Sequence, residues 1–524
     1  QYVTGTGGWD TSSADTYVGM FQNMRNLIKI DLESWTIAVD DIVTNMFTNT
    51  EDLVEVTLGA GYDAMCNDGK GVAEPTRTRT VHFISSGAQH EVEDCPNNNR
   101  PGYASGSYRE WKFGDGNTSK ISLLFKSGWS TTGWSWYGTY AARLRVWDSD
   151  VKEYLNVYNH YRGTDWSIET TATYLYVSLR VDSYAGYSDH GFHGVVTLHN
   201  AGVWKNSATD PYWIGSWNEL NDSNRERSGI GPDEMAGTYQ WKLGEAGGRF
   251  PSNLKAWWEY HRDTKVLDLH GPRDDYKNKI ITESSAQQPW VNENWAFLKV
   301  KNNCVSVTTT DGLTLENPAS WFADYVALVN IDANELRISS TATSLEKMFF
   351  KTTTNGKLTT ISGLEKWDVS NITSMASMFA GNTAYEINGV AGWNTGNVTD
   401  FSYMFSNNLA LNDLTNLTDW DTSSATNMSF MFYKTGITTL DRLKPHVTSV
   451  DGVEHDAWNT GNVTDFTSMF ASCLQLLNAE GIADWVVRNA ALTNMFNGDT
   501  VLTAVDISGW DMMSAPSITG MFIG

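Results

Sequence analysis

Residues 393–401 and 458–466 carry the same nine letters, WNTGNVTDF, and the phrase they belong to decides how most of this chain folds. The phrase opens on Trp, passes through a polar tetrad and an Asn-Val-Thr-like turn, and reaches Met-Phe eleven residues after the Trp. In the last third of the chain it recurs about every 26 residues. Trp367, Trp393, Trp420, Trp458, Trp485 and Trp510 lead to Met378-Phe379, Met404-Phe405, Met431-Phe432, Met469-Phe470, Met495-Phe496 and Met521-Phe522. The Trp-to-Met offset is ten only after Trp485. A fixed period of this length means stacked supersecondary units that share one core, because a single unit cannot bury its apolar face alone.

The apolar positions indicate how each unit folds. After Met-Phe comes a short run of the type L-x-x-L-x-L, as in Leu502, Val505 and Ile507, which reads as a brief strand. Between Trp and Met-Phe the apolar residues fall three to four apart, as in Ile372, Met375, Met378 and Phe379, which predicts a turn of helix or 3₁₀ on the opposite wall. The tetrad Asp368-Val369-Ser370-Asn371 supplies side chains that cap backbone groups at the corner.

The phrase resembles the 26-residue repeat of the BspA-type leucine-rich-repeat surface proteins, over roughly residues 331 to 524 and in register across six units. The resemblance implies a secreted or cell-surface protein that binds other macromolecules and is not catalytic. One departure is a gap between Met431 and Trp458 about a dozen residues longer than usual, so an insertion containing Arg442 to Pro445 is expected to bulge from one wall.

The same phrase is already present at the start. Trp9 leads to Met20-Phe21 and Trp35 to Met46-Phe47, with Leu27, Ile30 and Leu32, then Leu53, Val56 and Leu58, in the strand slots. The expected fold is therefore mostly β, a leucine-rich-repeat-like solenoid split by inserted β-sandwich domains. Its parts are N-terminal repeats over residues 1–60, a sandwich over 61–202, a second small β-rich domain over 203–330, and C-terminal repeats over 331–524. A chain of 524 residues is too long for one core.

A formal charge of −24 argues against a nucleic-acid partner, whose phosphates need a basic face. Lys and Arg are scarce while Trp, Tyr, Gly and small polar residues abound, as in secreted β-rich proteins. No apolar stretch reaches the length of a membrane span. The chain opens on Gln1, which fits a mature secreted form with its leader removed or a stretch of a longer chain. Cys66 and Cys95 flank one loop and are a candidate disulfide in an oxidising compartment. Cys473 stands where a small buried residue is expected, and Cys304 has no evident partner.

Residues 61–202 carry alternating runs at Lys120 to Phe125, Ala142 to Trp147 and Thr173 to Val181, separated by turn residues. Their order is similar to a CUB domain, with a Cys pair near the start, the Leu144 to Asp148 strand, and a late Val181 to Phe192 segment. Many CUB domains bind calcium through three acidic residues. Here only Asp182 matches and Ala142 stands at the second ligand, so calcium is disfavoured and no cofactor is expected. Residues 203–330 are Trp-dense, with strands expected at Thr238 to Leu243 and Ala296 to Val300.

Chemistry is sparse. His190, His193 and His199 form the densest histidine cluster, yet positions three apart on a strand face opposite ways, and surface histidines rather than metal ligands are expected. Glu259 and His261 lack a third partner for acid and base work. No phosphate loop, nucleophile elbow or H-E-x-x-H occurs, so no enzyme and no metal are expected. The loop Gly128 to Tyr140 offers Trp129, Trp134 and Trp136 as candidates for stacking on sugar rings, the plain alternative being that they pack the core. N-glycosylation sequons stand at Asn117, Asn221, Asn371, Asn397, Asn416, Asn427 and Asn462, of which the last five lie in the repeats and can simply be part of the structural phrase.

Neither terminal repeat carries a recognisable polar cap. From Met495 the next Trp lies fifteen residues on, while from Met521 across the terminus into a second copy Trp9 follows after twelve. Head-to-tail self-association is therefore expected, and a heterologous contact of that kind propagates as a filament. The leading expectation is a secreted structural subunit of an extracellular filament or surface layer. The alternative is a monomeric cell-surface adhesin or receptor-binding protein with glycans or surface proteins as partners. An intramolecular version, in which the two repeat segments join, would place Leu58 near residue 331.

Overall fold

The computed structural model describes residues 3, 6, 9–35, 45–48, 50 and 52–58; the strands between 78 and 215 named below, with Gly114 and Tyr174; and residues 237–243, 245–272, 279–291, 298–351, 357–383, 387–450 and 452–523. It is built mostly of strands and holds almost no helix. The chain divides into two compact units, Gln1–Gly248 with Ala296–Leu298, and Arg249–Trp295 with Lys299–Gly524.

In the first unit, the repeats of residues 9–58 stack in parallel. The N–H of Phe21 donates to Met46 O at 2.9 Å and that of Asn23 to Thr48 O at 2.8 Å. The strands Lys29–Leu32 and Glu55–Leu58 pair with Ile30 opposite Val56. Leu27, Ile30, Leu32, Leu53, Val56 and Leu58 are all buried, as their spacing requires. On its other side Glu55–Leu58 is bonded antiparallel to Gly237–Leu243, which continues to Gly202–Asn206 and Ile214–Gly215. Two further antiparallel sheets fill this unit. One runs Tyr108–Phe113, Leu175–Val181, Gly138–Asp148 and Thr132–Ser135, with Glu153–Tyr158 also on Gly138–Asp148. The other runs Thr78–Ser85, Phe192–Asn200, Thr118–Phe125 and Trp166–Thr170. Both bury alternate residues, Leu175 and Val177 in one and Ile121, Leu123, Val196 and Leu198 in the other, the period of two that half-buried strands show.

The second unit opens on Asn253–His261, which turns back through Lys265 in the left-handed region onto Val266–His270. From there the pairing is parallel: Val266–His270, Ser306–Thr310, Asn330–Asp332 and Thr360–Ser362 lie side by side, and Ile280–Ile281, Leu313–Leu315 and Leu336–Ile338 form a second parallel ladder. The stack thus starts well upstream of residue 331. Its early rungs lack the opening Trp of the phrase but keep the aromatic slot, filled by Phe322 and Phe349. The expected strand at Ala296 to Val300 is corrected: Val300 opens the short helix Val300–Asn303.

Asn330–Asp332 is bonded on both sides within its own ladder, and Glu55–Leu58 on both sides within its own. The wall between Trp and Met-Phe is no helix but a run of tight turns, as in Ile372 N–H to Val369 O at 2.9 Å and Met378 N–H to Met375 O at 3.1 Å. The insertion before Trp458 is a two-stranded hairpin, His446–Val450 with Val453–Ala457, bound to the stack where His446 Nε2 meets Asp419 Oδ1 at 3.0 Å and His455 Nε2 meets Asp419 O at 2.8 Å.

Candidate assembly edges

Each rung bonds to its neighbours by the same atoms, so the stack has a direction. Along the Met-Phe wall the N–H groups of one rung donate to carbonyls of the next, as in Phe379 to Met404, Phe405 to Met431, Phe470 to Met495 and Phe496 to Met521, at 2.9 to 3.0 Å. The residue before each Met turns its N–H the same way, which requires a left-handed backbone there. Gly19, Asn45, Ser377, Tyr403, Phe430, Ser468, Asn494 and Gly520 all occupy it. Five Trp indoles donate in the opposite sense, to the carbonyl three residues before the preceding Trp, while Trp485 reaches Leu443 O in the insertion. Trp35 reaches Thr6, Trp393 reaches Leu364, Trp420 reaches Val390, Trp458 reaches Leu417 and Trp510 reaches Ile482, at 2.9 to 3.0 Å.

The phenylalanines form one continuous ladder. Phe322, Phe349, Phe379, Phe405, Phe432, Phe470, Phe496 and Phe522 stack with centroids 5.5 to 5.8 Å apart and planes within 15°. Phe21 and Phe47 stack in the first unit at 5.3 Å with planes 21° apart. At most corners an acidic or amide side chain accepts the N–H two residues on, for example Asp368 from Ser370 at 2.9 Å and Asp421 from Ser423 at 2.9 Å, Val486 being an exception. The Ser370 hydroxyl, and after it the Ser370 N–H, hold the Asp368 carboxyl below the usual range.

The core set expected from the phrase is buried in the interior rungs: Phe21, Trp35, Met46 and Phe47, and every Trp, Met and Phe of the phrase from Trp367 to Phe496, are exposed by 4% or less. The outermost rungs are the exception and correct the expectation. Trp9 is 49% exposed, Met20 40% and Phe522 51%, and Trp510 is half-buried, because each has a neighbouring rung on one side only. Trp9 stacks on Trp35 at 5.8 Å and Phe522 on Phe496 at 5.5 Å, leaving the outer ring faces open. Met521 itself is buried.

The two open edges differ in shape. The outer face of the first rung is a groove of about 660 Å³ lined by Trp9, Thr11, Ala14, Tyr17, Val18 and Met20. The outer face of the last rung presents Met513, 95% exposed, with Ile518, Phe522 and Ile523 beside it. Following the bonding rule, this edge offers the N–H groups of Ile518, Gly520 and Phe522, while the first rung offers the carbonyls of Thr16, Val18 and Met20.

Other candidates stand as follows. Trp134 lies in the Thr132–Ser135 strand, while Trp129 and Trp136 lie outside the described residues, as do Asn117, Asn221, His190, Cys66, Cys95 and Asp182. His193 and His199 lie on Phe192–Asn200. His261 is bound across its hairpin to Asp268, Nε2 to Oδ2 at 2.8 Å, and Glu259 stands opposite Asp268 in the ladder. Among the described residues no group of three or more His, Cys, Asp or Glu side chains is placed to hold a metal ion. The repeat sequons are occupied by the stack: Asn397, Asn416 and Asn462 donate from Nδ2 to Ser370, Ile387 and Ser423 carbonyls at 2.7 Å, and Asn427 accepts from Ser429. The sequon threonines Thr373, Thr399 and Thr464 bond from Oγ1 to carbonyls of the previous rung at 3.0 to 3.1 Å, and Asn371 is exposed.

Inside the column, three residues past each Phe, lies a buried polar file that the phrase did not reveal: Asn382, Asn408, Thr435, Cys473 and Asp499. Asp499 Oδ1 accepts the Cys473 N–H at 2.7 Å while Oδ2 is buried without a hydrogen bond, and burial pushes the carboxyl up to about 7. Lys351 Nζ donates to Tyr325 O at 2.9 Å and Phe322 O at 3.3 Å, and burial brings it down to about 7. Cys304 and Cys473 are buried free thiols, both pushed up to about 12 by burial. A thiol held in that form is inert as a nucleophile.

A family model described as Mycoplasma protein of unknown function, DUF285, matches residues 3–58, 343–451 and 438–524. These stretches coincide with repeat segments in both units, and at this coarse level the match fits a BspA-type surface protein. No curated protein and no solved structure matches significantly. No helix among the described residues is long and apolar enough to cross a membrane.

Proposed function

We propose that the protein is a secreted structural subunit of an extracellular filament or surface layer, in which the last rung of one copy receives the first rung of the next. The observation that carries this reading is the polarity of the open edges. One edge lacks acceptors where the other offers them, in the same order along the phrase. In the assembled form the N–H of Phe522 donates to the partner copy's Met20 carbonyl, the ring of Phe522 stacks on the partner copy's Phe21, and the partner copy's Trp9 indole donates to the Ile507 carbonyl. The protruding Met513 and Ile518 side chains fit the groove beside Trp9 and Tyr17. Parallel edges with bare N–H and C=O rows are templates for pairing, and although the last rung carries Asp511 and Pro516, its exposed side chains Met513, Ile518, Phe522 and Ile523 are apolar. The acidic composition and the repeat resemblance support an extracellular setting.

The test is light scattering on the eluting chain across a concentration series, with electron microscopy of the concentrated sample. The expected result is a mass that grows with concentration and linear polymers. Ile518→Asp, which places a charge on one edge, and Val18→Asp, which places one on the other, each abolish growth while a mixture of the two gives dimers. A wild-type chain that stays monomeric at all concentrations would overturn the reading. A second reading, a monomeric cell-surface adhesin, is favoured by Tyr403, which stands 40% exposed on the wall of the stack with one face against the half-buried Phe430.

A further inference from the structure

The hairpin inserted before Trp458 is held to the stack in two different ways. At its root the contact is made by backbone: the N–H of Trp458 donates to Trp420 O at 3.0 Å, and Ala457 bridges Asp421. Further out it is made by side chains. Strand alternation puts His446, Thr448, His455 and Ala457 on one face of the hairpin and Val447, Glu454 and Asp456 on the other. Both histidines meet one residue of the stack, Asp419. His446 Nε2 lies 3.0 Å from its carboxylate Oδ1, and His455 Nε2 lies 2.8 Å from its backbone oxygen.

The second ring nitrogen of His446 also faces an oxygen, with Nδ1 2.9 Å from Lys444 O. Lys444 precedes Pro445, which keeps it extended at ψ 131°, so this carbonyl stays beside the ring. A carbonyl and a carboxylate only accept, whereas a neutral imidazole has a single N–H to donate. Either neutral tautomer would aim a nitrogen lone pair at an oxygen, and only the imidazolium completes both bonds. The Lys444 carbonyl first, and Asp419 after it, hold the His446 pKa above its ordinary 6.5, against burial that lowers it. The remaining charged groups of this corner are turned elsewhere. Asp421 accepts the Ser423 N–H, Arg442 acts on Asp413, the Lys444 side chain is exposed, and Glu454 and Asp456 lie on the far face of the hairpin.

We propose that His446 is an acid-held latch, which as the imidazolium ties the hairpin to the Asp419 corner of the stack and on losing its second proton lets the hairpin swing on its Trp458 root. The direction follows from linkage. Because the folded value lies above the unfolded one, the docking stability is complete below the ordinary value and is lost as pH rises through the folded one. The bond from His455 to the Asp419 carbonyl needs one N–H only, and the backbone contacts at Trp458 and Ala457 do not titrate, so the hairpin loosens while the rungs keep their pairing. The latch does not depend on the open edges and stands or falls separately from assembly.

The experiment is a pH titration of the histidine ring carbons of the full chain by NMR, with His446 identified by its absence in His446→Gln. Amide exchange of residues 446–457 is measured alongside at about pH 6 and about pH 8.5, corrected for the intrinsic exchange rate. The expected result is a His446 midpoint above 6.5 and hairpin protection that falls about tenfold between the two pH values, the loss of one bond to a charged partner, beyond any change at Phe405 and Phe432 in the rungs. Asp419→Asn, which keeps an oxygen acceptor without its charge, lowers the midpoint and shrinks the fall, and His446→Gln, whose amide does not titrate, removes the fall. A midpoint at or below 6.5, a midpoint that Asp419→Asn leaves in place, equal hairpin protection at both pH values, or a fall as large in His446→Gln as in wild type would each overturn the latch.

Discussion

Replacing Phe405 by Ala tests whether the aromatic ladder carries the stack. Phe405 is fully buried, lies between Phe379 at 5.7 Å and Phe432 at 5.6 Å, and touches Trp420 at 6.2 Å. Truncating a fully buried Phe costs about 3–5 kcal/mol, the transfer of the ring plus the cavity it leaves. The rungs above and below are fixed by the Phe379 to Met404 and Phe405 to Met431 backbone bonds and cannot close over the gap, which places the cost in the upper part of that range. Phe522 provides the internal comparison, because the same ring in the same slot has one stacking neighbour and is half exposed. About half the burial and one stacked pair are lost there, or about 1–2 kcal/mol. Urea unfolding of each variant, followed by Trp fluorescence at a concentration where the chain is monomeric, reads the shift of the transition that belongs to the repeat unit. Equal shifts for the two variants, or a cost for Phe405→Ala below about 1.5 kcal/mol, would refute the ladder as the source of stability.

Two buried groups make stability depend on pH in opposite directions. Asp499 has its folded pKa raised from 3.8 to about 7, so the folded state holds a proton the unfolded state has released between those values, and stability falls as pH rises from about 4 to 7. Lys351 has its folded pKa lowered from 10.5 to about 7, so the unfolded state holds the extra proton above 7 and stability rises from about pH 7 to 10.5. The two together give a stability minimum near pH 7, read as melting temperature against pH. Asp499→Asn flattens the acid arm and Lys351→Met the alkaline arm. Asn462→Ala removes the 2.7 Å bond to Ser423 O and is expected to cost about 0.5–1.5 kcal/mol by urea unfolding, the net worth of one hydrogen bond. An unchanged midpoint would assign that amide to solvent rather than to the stack.

How far the fold was legible depended on how strictly a position is constrained by its neighbours. Trp393 and Phe405 each stack on the equivalent residue in the rungs before and after, so any substitution is felt twice, and the period stands out in the sequence. Phe322 and Phe349 belong to the same ladder but went unread, because their rungs open without Trp and the spacing from Phe349 to Phe379 departs from the period. The Met348-Phe349 dipeptide was the available signal. The polar file at Asn382, Asn408 and Asp499 was hidden for another reason. Its members vary in chemistry from rung to rung, and only burial makes them a set.

From the sequence alone came the mostly β class, the repeating Trp, Met and Phe core, the capping of corners by Asp and Asn, and the presence of an insertion before Trp458. These follow from local periodicity, since a residue that recurs at fixed spacing must face the same way each time. Only the tertiary structure decided which strand edges are already paired, and so that Leu58 and Ile331 each lie within a completed ladder while the outer faces at Trp9 and Phe522 remain open. It alone placed Tyr403 on Phe430 with bare Ser377 beside them. Pairing across rungs is set by backbone hydrogen bonds between residues far apart in the chain, and neither composition nor spacing records which of those bonds lack a partner.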